Sequence, residues 1–213
     1  LARSVLRLVE PDQGAIHLAG RDWMRLTRDG LRAARRDAQM VFQDPYASLN
    51  PRLAIRDAVT EPAVIHGIVG QRQARDLAVS LVERVGLEAD SVDRFPHQFS
   101  GGQRQRLAIA RALSVRPKLI IADEAVSALD VSIAKQVTDL MLELQRQDGL
   151  SFLFISHDMA VVERVSHRIA VMYGGRIVET GKTDDVLAAP QHDYTRKLLA
   201  AVPRAFAPPA GRA

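Results

Sequence analysis

No cysteine occurs among the 213 residues, which excludes disulfides, thiolate metal sites and cysteine nucleophiles together. No apolar run approaches the roughly 18 residues that span a bilayer, and no signal-peptide pattern stands at the start. Lysine is scarce. Lys118, Lys135, Lys182 and Lys197 are the whole complement, so the positive charge rests on arginine. The net charge of +4 is mild and fits phosphate ligands and nucleic acid equally. Most consequential, the chain holds no Gly-x-x-x-x-Gly-Lys-Ser/Thr run, the loop whose backbone N–H groups cradle nucleotide phosphates. It opens on Leu1 rather than Met, already within a helical pattern, and is expected to begin part-way through a domain.

Apolar and charged fractions of 47% and 25% are those of an ordinary globular chain long enough for a real core. Leu1, Val5 and Leu8 share a helical face, and Glu10-Pro11 is expected to stop that helix. A turn at Pro11 to Gly14 leads to a short strand with Ile16 and Leu18. A charged stretch from Arg25 to Arg36 precedes the β-like Met40-Val41-Phe42 and a loop with two prolines, Gln43 to Pro51. Residues 53–115 read as mostly helical, broken at Pro62, Gly67, Gly70, Gly86 and Pro96.

From Lys118 the texture changes. An apolar strand (119–123) is followed by a helix with Ile133, Val137, Leu140, Met141 and Leu144 on one face, then a second strand (151–155). That is a βαβ pattern. Strands near 168–173 and 176–180 are joined by Gly174-Gly175, and helices follow near 182–188 and 193–201. The Pro/Ala-rich tail, 203–213, is expected to be disordered. The whole is an α/β chain with a parallel core interrupted by a helical insertion.

Two stretches carry the candidate chemistry. Leu119-Ile120-Ile121-Ala122 ends in Asp123-Glu124, which delivers two carboxylates to a sheet edge. Most such strands simply meet solvent there, but the same acids can give Asp123 to Mg²⁺ and let Glu124 polarise an attacking water. Ser100-Gly101-Gly102-Gln103 opens a helix. It reads equally as an N-cap with a turn and as a set of N–H groups closing on phosphate oxygens. Gln43 precedes an Asp-Pro turn at a strand end and predicts nothing alone. His157 follows Phe152-Leu153-Phe154-Ile155-Ser156 at the carboxyl end of a strand, where ligands of open α/β sheets gather. Asp130 is most simply the N-cap of the next helix. The other histidines show no metal-ligand spacing.

The order and spacing of these pieces resemble the ATP-binding-cassette (ABC) ATPase family over essentially the whole chain except its tail. The resemblance implies a P-loop NTPase (RecA-like) parallel sheet with a helical signature subdomain, its N-terminal strands and phosphate loop missing. It implies an ABC ATPase domain over 1–202, with a helical subdomain near 53–115 and a C-terminal oligopeptide-family segment near 182–202. It makes Gln43 the Q-loop glutamine, which contacts Mg²⁺ or the attacking water. Ser100, Gly101, Gly102 and Gln103 become the signature motif, with Phe99 for the commoner leucine, closing over ATP on the other subunit of a head-to-tail dimer. Asp123 and Glu124 become the Walker B pair, Ser127 to Asp130 the D-loop and His157 the switch histidine. The cofactors implied are ATP and Mg²⁺.

Gln39 to Arg52 and Pro190 to Leu199 look like the oligopeptide/dipeptide importer subfamily, most similar to the second ATPase subunit of such systems. That implies a sibling or identical ATPase subunit, two transmembrane permeases, a substrate-binding protein reached indirectly and no nucleic acid. It places the chain peripherally on the cytoplasmic face of the inner membrane. Nickel and glutathione importers share the signature, and homodimer, heterodimer and tandem fusion all stay open. Three departures stand out: the phosphate loop is missing, so this chain alone is expected to bind and hydrolyse ATP poorly. Ala125 replaces the proline that usually follows the Walker B glutamate, with a small expected effect. The C-terminal cysteines of some relatives are absent, so no iron–sulfur cluster is expected. The alternatives are a non-catalytic interaction module and a soluble ABC ATPase acting on nucleic acid or ribosomes.

Overall fold

Leu119–Asp123 forms β4, the middle strand of a three-stranded parallel sheet. Its neighbours are β3 (Ala38–Val41) and β5 (Ser151–Ile155), in the order β3-β4-β5. Ile120, Ile121 and Ala122 are buried, as an apolar strand covered on both faces requires. This computed structural model describes residues 1–44 and 48–201. It separates into Leu1–Ile155 and a smaller unit from Ser156 onward, and each is described by itself. Pro45, Tyr46 and Ala47 of the importer-like loop and the tail from Pro203 lie outside the described residues.

In the first unit the helix at the start is shorter than its apolar spacing predicts. Here α1 spans Ala2–Val5, and Arg7 takes a positive φ of 49°. The cause is a pair of arginines. Arg35 donates to the carbonyls of Leu6 and Arg7 at 3.1 and 2.6 Å, and Arg7 donates to those of Trp23 and Leu26 at 2.6 and 3.2 Å. Satisfying those carbonyls through side chains ends the helix well before Pro11. The hairpin of β1 (His17–Leu18) and β2 (Arg21–Asp22) follows, then α2 (Arg28–Ala34), whose N-cap Thr27 accepts the Gly30 N–H. Ala2, Leu6, Trp23, Leu31, Ala34, Ala38 and Ile121 pack into one core, with Trp23 wholly buried.

The helical insertion consists of α3 (Ile55–Ile65), α4 (Gln71–Arg84) and α5 (Gly101–Leu113). Pro62 does not break α3, contrary to the sequence expectation; it lies inside the helix. Proline in a helix interior costs about 3 kcal/mol. Ile55, Ala58, Val59, Pro62 and Ala63, at i, i+3, i+4, i+7 and i+8, are all buried, and each large apolar side chain buried returns about 1.5–3 kcal/mol. Packing therefore wins over propensity, and the helix runs on to His66 before Gly67 ends it. Then α6 (Val131–Asp148) crosses from β4 to β5 with Val137, Leu140, Met141 and Leu144 inward, as its spacing predicts.

The second unit contains α7 (Met159–Val165), β6 (Arg168–Tyr173), β7 (Arg176–Lys182), α8 (Thr183–Ala188) and α9 (Asp193–Ala200). Between β6 and β7, Gly174 and Gly175 take φ of 55° and 78°, the two left-handed positions that a tight hairpin turn demands. The Glu179 carboxylate on β7 accepts the N–H groups of Gln191 and His192 at 2.8 and 3.0 Å. The Gln191 N–H is the main cause holding that carboxyl below its ordinary value.

Ile121 sits in the middle of the middle strand with no exposed surface. Ile121→Ala is expected to lower unfolding free energy by about 2–5 kcal/mol in urea titration. A loss within about 1 kcal/mol would contradict the placement of the core.

Candidate functional site

The sheet register gathers the site. Val41 pairs with Ala122, and Asp123 pairs with Ile155. In parallel strands the carboxyl ends coincide, so Gln43, two residues past β3, leaves the sheet at the edge where Asp123 finishes β4. Asp123 and Glu124 are half-buried and Gln43 is exposed. His157, two residues past β5 in the chain, belongs to the second unit. The structure thus brings Gln43, Asp123 and Glu124 to one edge and describes His157 separately.

Glu124 has a φ of 49°, in the left-handed region that non-glycine residues rarely occupy. The turn around it is tied down: its N–H donates to the Ile155 carbonyl at 2.8 Å. Its own carbonyl accepts the Ser127 N–H at 3.1 Å and the Ser127 hydroxyl at 2.9 Å. Ala125 and Val126 are buried beneath this turn. The backbone therefore reverses at Glu124 and holds its carboxylate at the strand end. Nothing in a Glu-Ala dipeptide signals such a conformation, so sequence reasoning had no means of finding it.

Ser100 caps α5. Its hydroxyl accepts the Gln103 N–H at 3.3 Å, and the Gln103 side chain accepts the Ser100 N–H at 2.9 Å, a reciprocal capping box. Asp130 caps α6 without a reciprocal bond, accepting the Ile133 N–H at 3.0 Å and the Ser132 hydroxyl at 2.8 Å. The Ile133 N–H is the first cause lowering its pKa, and the Ser132 hydroxyl adds to it.

These two helix starts touch. A Cβ on Gly102 would lie 2.3 Å from Ile133 Cγ2, and one on Gly101 would lie 3.7 Å from Leu129 Cδ2. Gly102 is buried while Ser100 stays exposed. The second glycine thus serves the close approach of α5 to α6. Sequence reasoning left both glycines open between a turn at the helix cap and anion contact, and did not foresee that Gly102 meets Ile133.

Among the described residues, no three His, Cys, Asp or Glu side chains form a group that could hold a metal ion. Asp123 with Gln43 nonetheless fits Mg²⁺, which takes one or two protein oxygens and fills its remaining positions with water and phosphate. The donor set is hard oxygen throughout, which is what that ion selects.

A sequence profile described as ABC transporter matches residues 1–127. The chain belongs to the ABC transporter family. A second profile, Oligopeptide/dipeptide transporter, C-terminal region, matches residues 178–211. Two curated relatives bear the name glutathione import ATP-binding protein GsiA. The one from Pectobacterium atrosepticum is 56% identical and the one from Escherichia coli K12 is 58% identical, each over 201 residues. Both alignments cover 94% of this chain but only 32% of the relative, so the chain spans about a third of their length. Among solved structures, the cassette MJ0796, in a dimeric post-hydrolysis state bound to ADP and Pi, matches at a TM-score of 0.73 and 28% identity. That match covers 85% of this chain and 78% of the other. The cbiO1 protein of Clostridium perfringens, part of the ABC transporter complex cbiONQ, matches at 0.77 and 25% identity, covering 95% and 78%.

In this ABC transporter chain the first profile ends at the turn after Glu124, and the second begins within β7. No helix among the described residues is long and apolar enough to cross a membrane.

The close approach at Gly102 gives a sharp expectation. Gly102→Ala is expected to cost about 1–3 kcal/mol of stability by overpacking. Ile133→Ala in the same chain removes the colliding methyl and recovers most of that loss. Strictly additive costs in the double-mutant cycle would show that the two residues do not meet.

Proposed function

We propose that this chain is the catalytic part of an ATP-hydrolysing subunit that energises an ABC importer of oligopeptides or dipeptides, glutathione among the candidate cargoes. The observation that carries the reading is the shared strand edge of Gln43, Asp123 and Glu124, in a chain whose relatives are named for glutathione import. The oligopeptide/dipeptide profile over the C-terminal segment supports a peptide-like cargo.

In this reading Asp123, with Gln43, would hold Mg²⁺, and the ion would supply positive charge beside the phosphate oxygens. Glu124 takes the proton of the water that attacks the terminal phosphate. Its reversed backbone keeps the carboxylate at that edge without a rearrangement at the moment of reaction. His157 reaches the terminal phosphate. Ser100, Gly101, Gly102 and Gln103 present hydroxyl and N–H donors to ATP held by the other ATPase subunit of a head-to-tail pair, and Asp130 orders the loop beside them. A Gly-x-x-x-x-Gly-Lys-Ser/Thr grip on the phosphates is not part of this sequence, so these roles are proposed for a chain that carries one. The proposed domain covers 1–202, with the helical subdomain near 53–115 and the C-terminal segment near 182–202. Two permeases hold it at the cytoplasmic face of the inner membrane, and a substrate-binding protein delivers the cargo to them.

Glu124→Gln in the complete gene product tests the central role. ATP turnover is expected to fall by roughly 10²-fold or more, with Mg²⁺-ATP affinity unchanged. Hydrolysis within about tenfold of the unmodified protein would remove Glu124 as the base.

A further inference from the structure

Arg28, Arg32 and Arg36 recur every fourth residue along and just past α2, and all three are exposed. Arg28 and Arg32 have no acidic partner among the described residues. Arg36 makes one long bond, from Nε to the Val115 carbonyl at 3.4 Å. That bond brings the end of α2 to the loop before β4, where Arg116 and Lys118 are also exposed. The Lys118 N–H in turn donates to the Asp37 carbonyl at 2.8 Å, beside Arg36. Half-buried His66, at the end of α3, feels the same field: burial lowers its pKa first, and Arg32 and Arg36 lower it further.

Counter-charge is thin here. Asp37 is engaged by Arg21, and Asp29, in the first turn of α2 three residues before Arg32, is the one acid on the helix beside the row. Like charges at helical spacing repel one another, and a single acid beside three arginines leaves the row net positive. Its guanidinium forks are left available to oxygen anions outside the molecule. Arg36 and Lys118 lie just before the amino ends of β3 and β4, opposite the strand ends that carry Gln43 and Asp123.

We propose that the cationic face of Arg28, Arg32, Arg36, Arg116 and Lys118 docks on an anionic phospholipid surface. Phosphodiester headgroups present many fixed negative charges in a plane, which suits a row of exposed forks with no enclosing pocket. A single-stranded nucleic acid is the less suited partner. Trp23, the aromatic that precedes α2, is wholly buried, so the row offers no ring for a base to stack on. The inference goes beyond the transport reading and stands or falls apart from it: vesicle binding reports on one, ATP turnover on the other.

The test is sedimentation of the full chain with phosphatidylcholine vesicles, with and without phosphatidylserine. Binding is expected only to the phosphatidylserine vesicles and is expected to weaken steeply with salt. Each arginine neutralised is worth about fivefold in affinity, so Arg28→Gln, Arg32→Gln and Arg36→Gln together should cost on the order of a hundredfold. The same three positions changed to lysine should retain most of the binding, and circular dichroism of both variants should match the unmodified chain. Equal binding to both vesicle types, or an unchanged affinity in the glutamine variant, would overturn the proposal. So would release by inorganic phosphate beyond that caused by chloride of equal ionic strength, which would assign the row to free phosphate. Preferential capture by a single-stranded oligonucleotide would assign it to nucleic acid.

Discussion

Everything placed at the candidate site depends on the parallel register of β3, β4 and β5. A parallel ladder aligns carboxyl ends, so residues far apart in the chain, Gln43 and Asp123-Glu124, leave the sheet together. The strands stay paired in the interior because Ile120, Ile121 and Ala122, which alternate between the two faces of β4, are all buried. A packing requirement and a chemical arrangement are therefore the same constraint. The loss of a methylene in the core would be felt at the acids.

A second constraint is the contact between α5 and α6. Ser100 and Asp130 each cap their own helix, and Gly102 lets the two helix starts close on each other. The caps satisfy backbone groups that would otherwise need water, and the missing side chain permits the approach. The anion-binding reading and the structural reading of the Ser-Gly-Gly-Gln stretch are thus not rivals. The exposed Ser100 hydroxyl can serve a ligand while buried Gly102 serves packing. A substitution at Gly102 acts first through stability, and a substitution at Ser100 acts at the surface.

Much of this was legible in the residues. The strand at 119–123, the helix whose inward face includes Val137 and Leu144, and the Gly174-Gly175 hairpin all follow from period and turn chemistry. Three features were not. Pro62 reads as a breaker, yet a buried stripe of five residues carries the helix through it. The early end of α1 is set by Arg35, 29 residues from Leu6, and no local pattern can show a tertiary cap of that kind. The left-handed turn at Glu124 is imposed by its bond to Ile155 and by Ser127, against the preference of glutamate itself. In each case a distant contact outweighs the local propensity that a sequence displays.

The most direct test of the account is the structure of the complete gene product with Mg²⁺ and a non-hydrolysable ATP analogue. The account predicts the terminal phosphate above the carboxyl ends of β3 and β4. Mg²⁺ should lie within reach of Asp123 and Gln43, with a water between Glu124 and that phosphate. Nucleotide bound away from this edge, or a metal ion held by other residues, would contradict it.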